Sequence, residues 1–252
     1  MNAIMNVRMR ADQLLVARGL FDSRAKARAA IEAGRVSADG VPVKKAAQTI
    51  STRAALSADP AHPYVSRGGM KLAAALAHFA FDPKEKICLD IGASTGGFTH
   101  VLLRAGARRI YAVDVGSRQL HPSLLRRAEV ISLEKTDVRK LDRSQITEPA
   151  ELVVIDVSFI SLKKILPHVA ALSAPRAELV ALIKPQFEAG RRLVRKGVVR
   201  DPAVHLAVCE DLIAFSATLG WQELGVIESP VLGGDGNREF LLAARKQRAV
   251  SS

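Results

Sequence analysis

The chain is poor in cysteine, aromatic residues and acid. Among 252 residues there are two cysteines, Cys88 and Cys209, with no CxxC spacing and no neighbouring histidine cluster. This excludes a disulfide framework and structural zinc and points to a reducing compartment, the cytoplasm. No metal site is expected. Aromatic residues are 4% of the chain, too few for stacking platforms to dominate recognition of bases. The longest run free of Asp, Glu, Lys and Arg is Ile91–Leu103, at 13 residues and rich in glycine. It is too short to span a bilayer. Met1 to Leu15 holds no apolar signal core, so neither secretion nor membrane insertion is expected.

What is present describes an ordinary globular chain, 48% hydrophobic and 25% charged, long enough for a small domain joined to a medium one. The formal charge is +12 and the sequence pI about 10.2, which favours polyanionic partners through counterion release. Residues 1–62 hold ten Lys/Arg against five Asp/Glu, and residues 63–252 hold 27 against 20. Net positive charge is therefore denser in the N-terminal quarter. Nucleic acid leads the expected partners, a generally basic surface being the alternative.

From Met9 to Ile50 the pattern predicts two helices and a hairpin. Leu14, Leu15 and Leu20 form an apolar face ended by Gly19. Ser23 caps a second helix with Ala27, Ala30 and Ile31 on one side, stopped by Gly34. Val36, Asp39-Gly40 and Val41 read as a tight hairpin. The run Arg10-Ala-Asp-Gln-Leu-Leu15, Ser23-Arg24, Ala27, Ile31 and Gly34-Arg35-Val36 with Gly40 beyond resembles the S4 RNA-binding domain. That resemblance implies that Arg10, Arg24, Lys26, Arg28 and Arg35 face structured RNA. The stretch from Ser51 to Pro63, with Asp59-Pro60 and His62-Pro63, favours extended or turning chain. The expected division is a domain at 1–58, a linker at 59–66 and a second domain at 67–252.

The second part begins with a helix predicted over Gly68–Phe81. Short apolar runs then alternate with helical stretches. Strands are predicted at Ile87–Ile91, Ile110–Val113, Val130–Leu133, Leu152–Ile155, Leu179–Ile183, Gln222–Ile227 and Phe240–Ala243. Helices are predicted at Gly97–Ala105, Leu162–Leu172 and Ala203–Leu219. This is the α/β alternation of a doubly wound sheet.

After the first of these strands comes Asp90-Ile-Gly92-Ala93-Ser94-Thr-Gly96-Gly97-Phe98, a glycine-rich turn opening a helix. The spacing is not GxGxxG, whose second glycine makes room for a pyrophosphate, so a cofactor without phosphates fits better. Asp114 ends the next strand, where Rossmann-like folds place an acid on ribose hydroxyls. Asp137, after the third strand, is either an adenine contact or a helix cap. The arrangement resembles motif I of S-adenosylmethionine-dependent methyltransferases, which implies that cofactor; another ligand on a nucleotide-binding fold is the alternative.

Asp156 and Lys184 close the fourth and fifth strands, and ligands of open α/β sheets bind outside the carboxyl ends of strands. Lys71 sits beside Arg67 at the start of the first helix, where the helix dipole disfavours cations. Glu239 heads the last strand. The order Lys71, Asp156, Lys184, Glu239 resembles the catalytic tetrad of FtsJ-like ribose 2'-O-methyltransferases. In that chemistry methyl transfer needs in-line alignment and removal of a proton from a weakly acidic hydroxyl. The resemblance implies Lys184 as base and Lys71 as its neighbouring cation and orienting group, with the two carboxylates holding the lysine heads. A nearby cation favours a neutral amine and a nearby carboxylate the charged one, and the sequence leaves that balance open.

End to end, the chain is similar to the TlyA family of ribosomal RNA cytidine 2'-O-methyltransferases, also labelled hemolysin A. Tyr64-Val-Ser-Arg67-Gly-Gly-Met-Lys71-Leu72, Asp156-Val-Ser-Phe-Ile-Ser-Leu162, Lys184-Pro-Gln-Phe-Glu188 and Gly236-Asn-Arg-Glu239-Phe240 carry the match. It implies a Rossmann-like methyltransferase sheet with a small N-terminal α+β S4 domain, and S-adenosylmethionine as cofactor. It also implies 16S and/or 23S rRNA, naked or in ribosomal subunits, as partner, with no membrane and no obligate protein partner. Arg67 and the acid-free stretch bearing Arg191, Arg192, Arg195, Lys196 and Arg200 are further candidates for RNA phosphates. Competing functions are a membrane-active hemolysin, which no apolar segment supports, and a non-catalytic ribosome assembly factor, against which the complete tetrad speaks.

Overall fold

The computed structural model describes residues 7–246, the Arg191 side chain excepted, as two compact units that divide between Pro63 and Tyr64. The first unit holds β1 (Arg8–Arg10), α1 (Ala11–Ala17), α2 (Arg24–Glu32), β2 (Val36–Ala38), β3 (Val41–Pro42), β4 (Thr49–Ser51) and β5 (Leu56–Ala58). Gly19, at φ +69°, ends α1 and turns Leu20 to solvent, against the expectation that Leu20 belongs to the apolar face. Ser23 Oγ accepts from Lys26 N at 3.3 Å to cap α2. Leu14, Leu15, Ala27, Ala30 and Ile31 close a core with Phe21, Val36 and Ile50. Asp39 and Gly40 have φ of +51° and +77°, the two left-handed positions of a two-residue hairpin, and join β2 to β3.

Two pairings escape the sequence pattern. β1 pairs antiparallel with β4, and β5 pairs antiparallel with β2. Residues 51–58, read as extended or turning chain, thus belong to the small unit, which continues to Pro63. Three-residue strands carry too little alternation to be seen locally; long-range partners define them.

The second unit holds α3 (Gly68–Phe79), β6 (Ile87–Ile91), α4 (Gly97–Arg104), β7 (Arg109–Val113), α5 (Pro122–Leu125), β8 (Val130–Leu133), β9 (Ala150–Ile155) and α6 (Leu166–Leu172). After these come β10 (Ser173–Ile183), α7 (Pro185–Glu188), α8 (Pro202–Thr218), β11 (Trp221–Glu228) and β12 (Phe240–Lys246). The seven strands lie in the order β11-β12-β10-β9-β6-β7-β8. β6 to β10 pair in parallel and β12 runs antiparallel to β10 and β11. Side-chain alternation splits the core between the two faces. Leu89, Val153, Ala181 and Leu212 lie in one cluster, and Cys88, Val154, Val180 and Leu72 in the other.

The helix expected over Leu162–Leu172 is broken into a 3-10 turn, Leu162–Lys164, and α6. Pro167, lacking an N–H, sits in the first turn of α6, where that loss costs nothing. Strand β10 starts six residues earlier than its apolar run, with a register shift against β9 between Ser173 and Glu178. Among the described residues no helix is long and apolar enough to cross a membrane.

Candidate active site

The sheet reverses its strand order between β6 and β9, and register brings the site residues to that reversal. Ile91 pairs with Ile155, so Gly92 and Asp156 leave the sheet side by side. Ile183 pairs with Phe240 in the antiparallel partner, which sets Lys184 beside Glu239. Lys71 reaches the same place from the first turn of α3.

These four side chains line one cavity of about 570 Å³, within the range of ligand sites. They are arranged as two ion pairs. Lys71 Nζ meets Glu239 Oε2 at 2.5 Å, and Lys184 Nζ meets Asp156 Oδ1 at 2.6 Å. Lys184 Nζ also donates to Ser158 Oγ at 2.9 Å. Lys71, Lys184 and Glu239 are buried. Glycine surrounds the pairs for a steric reason: a Cβ on Gly233 would fall 2.1 Å from Glu239 Oε1.

The glycine turn borders the same cavity through Gly92, Ala93, Ser94, Gly97 and Phe98. Positive φ recurs along it, at Gly92 (+84°), Ser94 (+47°) and Gly96 (+94°). A Cβ on Gly92 would strike the Asp156 carbonyl oxygen at 2.3 Å, so only glycine lets β6 and β9 end this close together. Ser94 N donates to Asp114 Oδ2 at 2.8 Å, and Gly116 N to Asp114 Oδ1 at 2.7 Å.

Asp114 opens on a second cavity of about 480 Å³, which shares Gly92, Ser94, Asp156, Ser158 and Phe159 with the first. Val113, Val115, Val138, Ile160 and Ile165 wall it. Apolar walls for a flat ring, a carboxylate for hydroxyls and a glycine turn leading to the ion pairs fit S-adenosylmethionine.

Three of the sequence candidates take supporting positions. Asp90 is fully buried beneath the turn and lines neither cavity. Its Oδ2 accepts from Thr99 Oγ1 at 2.6 Å while Oδ1 has no partner among the described residues, and burial pushes the carboxyl up to about 7. Gly96 also lines neither cavity; its bare α-carbon makes room for Leu120 and Leu124. Asp137 lines the second cavity but caps a 3-10 turn, accepting from Arg139 N, and pairs with the Arg139 guanidinium at 2.5 Å. Its carboxyl is held down at about 2, first by the hydrogen bond from the Arg139 side chain.

The RNA candidates separate by partner. Arg10 and Arg24 both bind Asp12, at 3.0 and 2.7 Å, Lys26 binds Asp22 and Arg28 binds Glu32. Arg35 is exposed. Arg67 lines the first cavity. Arg192, Arg195, Lys196 and Arg200 are exposed on a turn closed by an Arg195–Val198 bridge; the Arg191 side chain lies outside the described residues. Buried Asn237 ties that turn to the cavity rim. Its Nδ2 donates to the carbonyls of Gly197 and Gly234 at 3.0 Å each, and its Oδ1 accepts from Val199 N at 3.3 Å.

Sequence reasoning missed Ser158, Phe159, Gln186, Phe187 and Asn237 as lining residues. Phe159 stands 89% exposed at φ +64°, a conformation costing a bulky residue about 1–2 kcal/mol. Its ring lies 4.9 Å from that of Phe187. The available signal was an aromatic residue, Phe159, three positions after the strand-end Asp156.

Comparison with known proteins agrees with this geometry. Residues 64–246 match the family model of FtsJ-like methyltransferases, and residues 9–54 that of the S4 domain. The chain is 43% identical over 250 residues to the 16S/23S rRNA (cytidine-2'-O)-methyltransferase TlyA of Mycobacterium tuberculosis, covering 97% of this chain and 93% of that protein. It is 38% identical over 235 residues to Hemolysin A of Brachyspira hyodysenteriae, covering 92% and 98%. A solved Streptococcus thermophilus structure, provisionally named a hemolysin, superposes with a TM-score of 0.75 at 41% identity, covering 96% of this chain and 90% of that one. The chain belongs to the FtsJ-like family of S-adenosylmethionine-dependent methyltransferases, in its S4-bearing TlyA and hemolysin A branch.

Proposed function

We propose that this chain methylates the ribose 2'-hydroxyl of cytidine in 16S and/or 23S rRNA, in the cytoplasm, on naked RNA or ribosomal subunits. The observation that carries the reading is the meeting of two lysine–carboxylate pairs in one cavity beside the glycine turn. When bound, S-adenosylmethionine supplies a methyl group on a sulfonium. Gly92, Ala93, Ser94, Gly97 and Phe98 would hold its methionine end, and Asp114 its ribose. Displacement at a sulfonium needs alignment and a route for the hydroxyl proton. Lys184, after releasing one of its own protons to solvent, accepts that proton as the neutral amine, with Asp156 and Ser158 fixing its head. Lys71, fixed by Glu239, orients the hydroxyl.

The exposed Phe159 ring, with Phe187 against it, offers a face to a base drawn out of its helix. Phosphates are gripped by Arg35 in the small unit and by Arg67, Arg192, Arg195, Lys196 and Arg200 in the large one. Arg10, Arg24, Lys26 and Arg28 contribute less, because each already has an acidic partner.

Mapping 2'-O-methyl positions in rRNA from cells with and without the protein, and on purified subunits with added cofactor, tests the reading. The expected result is one or two cytidines methylated only when the protein is present. Methylation of no rRNA ribose in either setting would overturn it.

A further inference from the structure

The loop after β9, residues 156–162, carries Asp156, Ser158 and Phe159, and Phe159 sits in the left-handed region without being glycine. Such a conformation persists only where surrounding contacts over-determine it. At its start the loop is anchored by Asp156, whose N–H donates to Ile91 O at 2.9 Å and whose carboxylate pairs with Lys184. Its far end is anchored by a residue the tetrad chemistry does not use. Glu188 Oε2 accepts from Ser161 Oγ at 2.6 Å, and Glu188 Oε1 accepts from Leu162 N at 2.8 Å. Glu188 closes α7, the short helix that begins directly after Lys184. One carboxylate thus ties the loop bearing Asp156 and Phe159 to the turn bearing Lys184 and Phe187.

We propose that Glu188 is a positioning residue for methyl transfer, holding the strained 156–162 loop so that Asp156 and Phe159 keep their places beside Lys184 and Phe187. The inference rests on the methyltransferase reading above. Burial raises the Glu188 carboxyl above its ordinary range, while the two hydrogen bonds and Lys163 oppose that rise and Asp211 adds to it. Lys163 is itself paired with Asp211 at 2.6 Å. Among the described residues no cation is bound directly to Glu188, whose carboxylate holds Ser161 and Leu162. A carboxamide can keep both links, its oxygen accepting from Leu162 N and its nitrogen donating to the Ser161 hydroxyl.

The test compares Glu188→Ala, Glu188→Gln and Ser161→Ala in the full chain by two readouts. One is steady-state methylation; the other is amide hydrogen exchange of residues 156–162, which requires no activity. Glu188→Ala is expected to lower kcat between about tenfold and a hundredfold, leave KM for the cofactor near wild type and speed exchange in the loop. Glu188→Gln should restore both readouts, and Ser161→Ala should lower kcat a few fold with a smaller rise in exchange. Wild-type exchange and kcat in Glu188→Ala would overturn the proposal. If that variant does not fold, the same result in Ser161→Ala overturns it. A wild-type chain that methylates nothing would sink the functional reading alone, since loop exchange still reports on the clamp.

Discussion

Each unit of the molecule buries one aspartate almost completely, Asp12 at 3% exposure and Asp90 at 0%, and the two are treated in opposite ways. Asp12 receives the guanidinium groups of Arg10 and Arg24 and the backbone N–H of Gln13. The hydrogen bond from Arg10 leads in holding its carboxyl down at about 2. Asp90 receives one hydroxyl, and burial pushes it up to about 7. The small unit pairs its buried charge with Arg10 beside α1 and with Arg24 at the start of α2. The large unit leaves a carboxyl half-satisfied under the cofactor turn and sets two largely buried ion pairs on the wall of the cavity. Native folds tolerate such costs mainly where ligands bind.

Charge in the large unit should therefore matter more to chemistry than to folding. The largest expected effect is that of Lys184→Ala, which should slow single-turnover methyl transfer by about a thousandfold or more, as for loss of a general base. Binding of cofactor and RNA should persist, because the loss falls on the transition state. Double substitutions among Lys71, Asp156, Lys184 and Glu239 should cost little more than the worst single one. Near-normal single-turnover rates in Lys184→Ala would remove the base assignment and leave alignment as the source of catalysis.

The second effect concerns stability. Asp90 binds its proton more tightly folded than unfolded, so the folded state is favoured at low pH and that advantage is lost as pH rises from about 4 to about 7. Denaturant unfolding of the large unit should weaken by roughly 2–4 kcal/mol across that window through this group alone. Asp12 has the reverse sign: its contribution is present above about pH 4 and disappears as pH falls through about 2. Asp90→Asn should flatten the slope between about pH 4 and 7. An unchanged slope in that variant would mean Asp90 is ionised in both states, and the contrast with Asp12 would fail.

Much of this contrast was legible before the fold. The parallel strands read as short continuous apolar runs, as strands buried on both faces do, and the glycine turn, Asp156 and Lys184 follow directly at their carboxyl ends. The register of β12 needed the fold, since the pairing of Ile183 with Phe240 sets Lys184 beside Glu239. Phe159 was hidden because its exposure depends on a left-handed backbone angle that no neighbouring glycine announces. Asp90 was misplaced for a related reason: it alternates correctly as a strand residue, but its face of the strand points beneath the turn. In the small unit, helix caps and the hairpin were readable from single residues. The pairing of Arg24 with Asp12 was not, because it joins α1 to α2 through tertiary packing.

Those partners sharpen the comparison at its smallest scale. Five candidate basic residues of the small unit look alike in sequence, yet four are paired with Asp12, Asp22 or Glu32, Asp12 being shared by two, and Arg35 has no acidic partner among the described residues. Removing a paired arginine frees its carboxylate, which then repels phosphate. Removing an unpaired one only subtracts a contact. The salt dependence of RNA affinity counts the phosphates neutralised, so Arg35→Ala should lower the slope of log K against log salt by about one. Glu32→Ala should steepen that slope by up to about one and strengthen binding at low salt, because it releases Arg28 from an exposed pair to meet a phosphate. Fluorescence anisotropy with one rRNA fragment at several salt concentrations measures both. If Arg35→Ala and Arg28→Ala give the same slope, pairing within the small unit does not decide which side chains meet RNA, and its charges act together as a diffuse field.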